Sequence, residues 1–555
     1  MDNAGNGTAG HVPSVNIASF SYTGFNTGIL MAMSALVVIS YRLYSTSGRR
    51  PANYPPGPPT VPILGNMLEF PSDYLQYKFS EAAKTYGDAV SFKIMHQTII
   101  SLNTPSLVKE LLDVRSSSSS NRPKSTLTDI MTADLNMGTN FHGKSRHHLK
   151  INKQEIDVNL WTDHAKRYVT SFLLSVMYGF RAARVDSPPV RDLVDVHRRF
   201  VDILNFGGAP PVDLFPILKW VPRCFAGWKA DAEDIGRCQQ ELFAKWTGQV
   251  RARLERGQGT GCLMEDVIPN MREWGMKNDD WLNNLGGSLL EASDTVPVTV
   301  WSFIICAVLY PEKQAIAAAE LARVIGPDRV PLHKDLSNLP YTRAFINESM
   351  RMYPVAPVGI PHEMSQDEVV DGVLYPKGAT VFQNTWFIFR DERYFDQPHE
   401  FMPERFLHST FGTRPDVVDD PARRDTLLWG SGRRICPGQL AAKTSIEVIC
   451  PYLLWAFDFE RAVDPVTGHE LKPTIKFEHG IVAVPEKIPC RIVPKSQKHV
   501  ETVRREFGRV TEDLQRYELE VSVEDAAYNE KFRDIYVVDY RCNMRRSSLF
   551  LKLIA

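Results

Sequence analysis

The chain lacks the cysteine patterns that build zinc centres or disulfide frameworks. Its eight cysteines stand at 224, 238, 262, 306, 436, 450, 490 and 542, with no C-x-x-C pair and no regular spacing. Most of them, such as Cys306 in "WSFIICAVLY", read as small packed hydrophobes. An excess of charge is missing as well: 64 Lys and Arg against 65 Asp and Glu give a net charge of -1, and the basic residues are scattered. That excludes the concentrated cationic footprint of a nucleic-acid binder. No internal repeat or composition break divides residues 60 to 495, so the 555 residues read as one large domain with appendages.

Also absent is any Lys or Arg ahead of the first apolar run, "FNTGILMAMSALVVISY", Phe25 to Tyr41. A cleaved signal peptide would need a basic start. As a helix the run spans about 26 Å, and with Tyr44 it reaches across a hydrocarbon core of about 30 Å. Arg42, Arg49 and Arg50 follow it. Basic flanks stay cytosolic, which predicts a lumenal stretch 1–24, an anchor helix 25–44 and a cytosolic body. The prolines of "YPPGPPTVPILGN" make 45–60 a stiff hinge.

Residues 61–495 form the domain proper. Helical periodicity dominates, as in "LQYKFSEAAKTYG", "AEDIGRCQQELFAKWTGQVRARLERG", "WLNNLGGSLLEASDTVPVTVWSFIICAVLY" and "EKQAIAAAELARVIG". Short alternating runs, "DAVSFKIMHQTIISL" and "VVDGVLYPKGATVFQN", predict hairpins, the second turning at Asp371-Gly372. The fold class is mainly α with a minor β part, an α+β domain. The serine run at 116–125 reads as a polar loop, and 496–555 as a charged extension without a strong apolar face, open to disorder.

One cysteine has neighbours that suggest chemistry. "WGSGRRICPG", Trp429 to Gly438, surrounds Cys436 with Gly430, Gly432 and Gly438 and places Arg434 two residues before it. Glycines allow tight turns and close approach to a flat, bulky object. Such a loop can aim N–H groups at a thiolate, and an arginine can pair with a carboxylate. Thiolate, clearance and cation together describe a haem site with cysteine as axial ligand.

The same stretch resembles the cysteine loop of the cytochrome P450 family, Phe-Gly-x-Gly-x-Arg-x-Cys-x-Gly, with Trp429 in place of Phe. Other motifs of that family follow in order: "ESMR", Glu348 to Arg351, then "FMPERF", Phe401 to Phe406, and upstream "EASDT", ending in Asp294 and Thr295. The resemblance covers residues 25 to 495 and looks most like fungal members that serve secondary metabolism. It implies the cytochrome P450 fold and haem b (iron protoporphyrin IX) on Cys436. Arg434 and His362 would sit at the propionates, and Glu348, Arg351 and Arg405 would form a charge triad. Asp294 and Thr295 would deliver protons.

It further implies a monooxygenase that oxidises a lipophilic small molecule such as a terpenoid, polyketide or alkaloid, on the endoplasmic reticulum membrane. Only 119 residues follow Cys436, with no nucleotide fingerprint among them. Electrons would therefore come from NADPH through a separate flavoprotein reductase, docking near Arg423, Arg424, Arg433 and Lys443. Two alternatives stay open: rearrangement or dehydration without net oxygenation, and a haem-binding protein with little turnover.

Three departures from the family pattern bear on these expectations. "FHGKSRHHLKINKQ" has no tryptophan where most members use Trp and Arg to hold the propionates, leaving Arg146, His147 or His148 as substitutes. Pro297 stands inside the expected distal helix, where it can kink the backbone. Phe389 stands where many members have histidine.

Overall fold

The computed structural model describes residues 22–531 except 47, 72, 133–160, 205–208, 418–425, 465, 472, 479, 481 and 487. Its long helices are α1 (Tyr22–Thr46), α2 (Leu75–Tyr86), α3 (Trp161–Tyr178), α4 (Pro188–Leu204), α5 (Gly227–Glu255) and α6 (Asp279–Glu291). They continue with α7 (Thr295–Leu309), α8 (Pro311–Val324), α9 (Pro340–Met352), α10 (Gln439–Ala456) and α11 (Gln497–Leu514). Strands β1 (Ala89–Ile94), β2 (Gln97–Leu102), β3 (His362–Glu363) and β6 (Thr380–Gln383) form one sheet in the order β1-β2-β6-β3. The pairs β4 (Glu368–Val370) with β5 (Val373–Tyr375), and β7 (Phe457–Arg461) with β8 (Cys490–Pro494), stand apart. Both predicted hairpins are present, the second turning at Asp371 and Gly372 with positive φ at each.

The core gathers on α7, which has no polar face: Val300 and every residue from Phe303 to Val308 are buried. A helix apolar all round must be enclosed by other elements. α9 and α10 supply Phe345, Ile346, Ile446, Cys450 and Leu454 to the same cluster. Phe303 meets Phe345 edge-on at 5.3 Å between ring centroids, and Phe345 meets Phe401 at 4.9 Å. Cys306 is fully buried in this layer.

The expected continuous distal helix is interrupted. A 3-10 turn, Ala292–Asp294, separates α6 from α7, which places Pro297 in the first turn of α7 rather than in a helix interior. A first-turn residue has no intrahelical use for its N–H, so proline is accommodated by a tightened turn rather than by a mid-helix kink.

The proline hinge is tied to the body, and two further expectations need correction. The Arg50 guanidinium donates to Gly57 O, Pro58 O, Ser91 O and Ser91 Oγ, each at 2.8 Å, which fastens the proline segment to β1. Gly57 lies so close that a Cβ would come within 2.1 Å of Ser91 O. The serine run is not simply a loop. Ser116–Ser119 form a helical turn, with Ser118 and Ser119 buried.

The C-terminal extension is docked, as far as residue 531. α11 lies on α10 with His499 against Trp455 at 4.8 Å, and Thr502 Oγ1 donates to Pro327 O at 2.8 Å. Beyond it Glu518 pairs with Arg181 (3.4 Å), Glu520 with Arg253 (2.6 Å) and Asp525 with Arg184 (2.7 Å). Val503 of α11 also packs against the main core, so the docking combines apolar contact with pairing to arginines of the body. Residues 532–555, with Cys542, lie outside the described residues.

Arg253 is only 1% exposed and shares its charge between Glu265 and Glu520. Glu520→Ala removes one acceptor from a buried guanidinium and is expected to destabilise the protein by about 1–3 kcal/mol. A lowered thermal midpoint of the full chain in detergent checks this; an unchanged midpoint contradicts the docking.

Candidate functional site

Cys436 sits between two turns that its own loop creates. A 3-10 turn, Gly432–Arg434, precedes it, and α10 begins three residues after it at Gln439. The Cys436 N–H donates to Trp429 O at 2.8 Å and closes the loop. The thiol is half-buried. Burial pushes it up from its ordinary pKa, and the Gly438 N–H aimed at it acts in the opposite direction. A sulfur beside a helix start and an N–H donor is suited to binding as thiolate.

The three glycines of the loop differ in backbone conformation and in what the chain places beside them. Gly430 and Gly432 both have positive φ, at 80° and 59°. A Cβ on Gly432 would lie 2.0 Å from Leu112 O, so its closeness is to the chain itself. Gly438 has an ordinary negative φ, and its missing Cβ would approach only the Cys436 sulfur, at 3.8 Å.

Next to the loop the fold collects positive charge without an acid. Arg434 Nε donates to Ser120 O at 2.7 Å, and His362 Nδ1 lies 2.7 Å from Ser119 O. Arg122 Nη1 donates to Ile360 O (3.0 Å) and Pro361 O (2.8 Å), while its Nε is buried with no partner. Burial, then Arg434, pushes the Arg122 guanidinium down to about 10. Burial, then Arg122, takes His362 down to about 4, with Arg434 adding to it. Among the described residues no carboxylate pairs with any of the three. His362 is therefore neutral near pH 7 and offers a donor, while Arg122 and Arg434 are two like charges whose proximity is costly unless an anion arrives. The donor set fits a haem that Cys436 would hold through the iron and that Arg122, Arg434 and His362 would hold through the propionates.

Arg122 was not singled out in the sequence. Its signal was present in "NRP", directly after the serines, but nothing local says that this arginine folds back toward Arg434. Arg146, His147 and His148 lie outside the described residues.

Glu348, Arg351 and Arg405 meet in the interior. Arg351 grips Glu348 through Nε (2.7 Å) and Nη2 (2.8 Å), and Arg405 Nε reaches the same carboxylate at 3.2 Å. Carbonyls of Phe389, Pro398 and Asp396 take further guanidinium protons. Phe389 therefore serves through its backbone, and its ring packs edge-on against Phe395 at 5.8 Å.

On the other side of α7, Asp294 turns toward α3 and α4. Its oxygens lie 3.1 Å from Lys166 Nζ and 3.4 Å from His197 Nε2. Burial raises the Asp294 pKa, but Lys166 and His197 outweigh it and hold the carboxyl below its usual range. Thr295, its sequence neighbour, accepts from Thr299 Oγ1 through its carbonyl at 3.0 Å. Neither Lys166 nor His197 carries a sequence signal, because the pairing joins helices nearly a hundred residues or more apart.

Comparisons with known proteins point to one family. The family model described as Cytochrome P450 matches residues 55–153 and 135–487. A cytochrome P450 monooxygenase of Armillaria gallica is 33% identical over 508 residues, covering 86% of this chain and 96% of the relative. Cytochrome P450 monooxygenase macC of Penicillium terrestre is 32% identical over 88% of this chain and 98% of its own. Cytochrome P450 monooxygenase patI of Penicillium expansum is 31% identical, with 88% and 97% covered.

Glu348 is fully buried between two arginines. Glu348→Ala leaves both charges uncompensated and is expected to cost about 3–5 kcal/mol. Loss of folded, haem-binding protein on expression is the expected readout; a variant as stable as wild type contradicts it.

Proposed function

The chain belongs to the cytochrome P450 family, and on that footing we propose that it is a membrane-anchored monooxygenase that inserts one oxygen atom from dioxygen into a lipophilic small molecule. The observation that carries this reading is the pairing of the Cys436 loop with the acid-free cluster of Arg122, Arg434 and His362. Haem held by a cysteinate supplies cleavage of the O–O bond. Around it the chain's own residues have distinct tasks. Cys436 donates electron density, and the cluster receives the propionates. Arg122 and His362 hang on backbone carbonyls, so their positions are set before any cofactor arrives.

Proton supply is assigned to Asp294 and Thr295. Asp294, ionised and tied to Lys166 and His197, links the head of α7 to two helices through which solvent protons can be relayed. The Thr295 hydroxyl passes the proton on. The same ion pairs support a second reading. They engage both oxygens of the carboxylate, Oδ1 by Lys166 and Oδ2 by His197, and a carboxylate occupied in this way favours rearrangement or dehydration without net oxygenation.

Electrons are assigned to NADPH through a separate flavoprotein reductase. Arg433 and Lys443 are exposed on the cysteine side and suit an acidic partner; Arg423 and Arg424 lie outside the described residues. The endoplasmic reticulum membrane is the proposed location. α1 presents Leu30, Met31 and Leu36 to its surroundings. A second apolar patch, Ile217, Trp220 and Phe225 at 77, 86 and 82% exposure, supports contact with lipid. A fungal secondary metabolite, terpenoid, polyketide or alkaloid, is the proposed substrate class, supported by the fungal origin of the relatives.

With NADPH and reductase, labelled dioxygen is expected to appear in the product; turnover that yields only unlabelled product favours the second reading. Arg122→Ala is expected to lower haem content and speed haem release, measured by the ratio of haem to protein absorbance. Unchanged retention removes Arg122 from the propionate site.

A further inference from the structure

The segment facing the cysteine loop contains a π-helical turn. After the short helix Pro105–Val108 the chain widens into π geometry over Lys109–Val114, then re-enters α geometry at Ser116. A π turn carries one extra residue in the ring of each hydrogen bond and rotates everything after it around the axis. Here Leu111 and Leu112 stay buried while Asp113 meets the loop. Its Oδ1 accepts from the Gly432 N–H at 2.5 Å. No room remains on that side, since a Cβ on Gly432 would meet Leu112 O at 2.0 Å and Ser116 Cβ at 2.7 Å. From the other direction Ser431 Oγ donates to Gln383 Oε1 at 3.2 Å. The loop is thus gripped at adjacent residues from two sides, by a neutral amide and by a carboxylate.

Several N–H groups of the loop have partners of their own. Gly432 donates to Asp113, Arg434 to Ser431 O, Ile435 to Gly432 O, and Cys436 to Trp429 O. Gly438 is left to face the sulfur. Each N–H on a ligating sulfur draws off electron density and raises the metal's reduction potential, and a nearby negative charge lowers it.

We infer that Asp113 is a positioning residue for the cysteine ligand: by holding the Gly432 N–H it fixes the loop, and its charge biases the bound haem toward the oxidised state. The inference rests on the reading of Cys436 as the haem ligand. It gives the π turn a purpose, because in regular α geometry the residues after it would face elsewhere. It also couples the ligand loop to the serine turn, whose Ser119 and Ser120 carbonyls orient His362 and Arg434. One short segment would then hold both the sulfur loop and the propionate cations.

The test uses the full-length holoprotein, with midpoint potential by redox titration and haem release as readouts. Asp113→Ala is expected to shift the potential positive and speed haem release. Asp113→Asn keeps an acceptor oxygen, so haem retention is expected to return toward wild type while the potential remains raised by the lost charge. Glu110→Gln is the control, a carboxylate on the same turn that pairs with Arg115 at 2.8 Å, and it is expected to leave the potential unchanged. If Asp113→Ala does not accumulate, the potential of Asp113→Asn decides alone. Wild-type potentials in the Asp113 variants overturn the inference, as does an equal shift in Glu110→Gln. Ferric electron paramagnetic resonance of the wild type is read separately. Absence of a cysteinate-ligated signal there refutes the Cys436 reading itself, and this inference with it.

Discussion

Two guanidinium groups beside the cysteine loop, with no acid among the described residues to meet them, are the constraint around which this structure is organised. Arg122 and Arg434 are joined by the imidazole of His362, neutral near pH 7, and the three come from separate stretches of chain, each held by backbone carbonyls. Carbonyls orient a guanidinium without neutralising it. The site is therefore incomplete in a defined chemical sense, and a dicarboxylate cofactor would complete it. The glycine turns, the serine helical turn and strand β3 follow as the means of bringing those residues together.

The apolar half of the molecule serves the same end. α7 is enclosed by α9 and α10, and α10 starts at the cysteine loop. Packing of α7 therefore bears on the position of the sulfur through one rigid helix, while the Asp294 ion pairs tie the head of α7 to α3 and α4. The docked tail extends this frame, since α11 packs on α10 and the residues beyond it pair with arginines near the ends of α3 and α5. A segment outside the family match at 55–487 thus contributes to holding the elements that carry the site.

Much of this was legible in the sequence wherever the signal was local. The cysteine loop, the Glu348 and Arg351 spacing, both hairpins and the long helices all rest on neighbours within a few residues. What escaped depends on distant partners. Five serines in a row look like a loop until Leu111 O and Glu368 are there to bind Ser119 and Ser118. Arg50 looks like a membrane-flanking charge until Ser91 folds beneath it. The extension looks solvated because charge is dense along it, and only distant partners, Trp455, Pro327 and the arginines of the body, make it dock. Pro297 looked disruptive because the 3-10 turn ahead of it has no clear sequence mark.

The central claim is that Cys436 and the donors Arg122, Arg434 and His362 form one haem-thiolate site. The most direct measurement is the carbon monoxide difference spectrum of the reduced full-length protein. The account predicts a thiolate-type band at about 450 nm that disappears in Cys436→Ala. Reduced protein that carries haem but shows no such band, or a band that survives in Cys436→Ala, would contradict it.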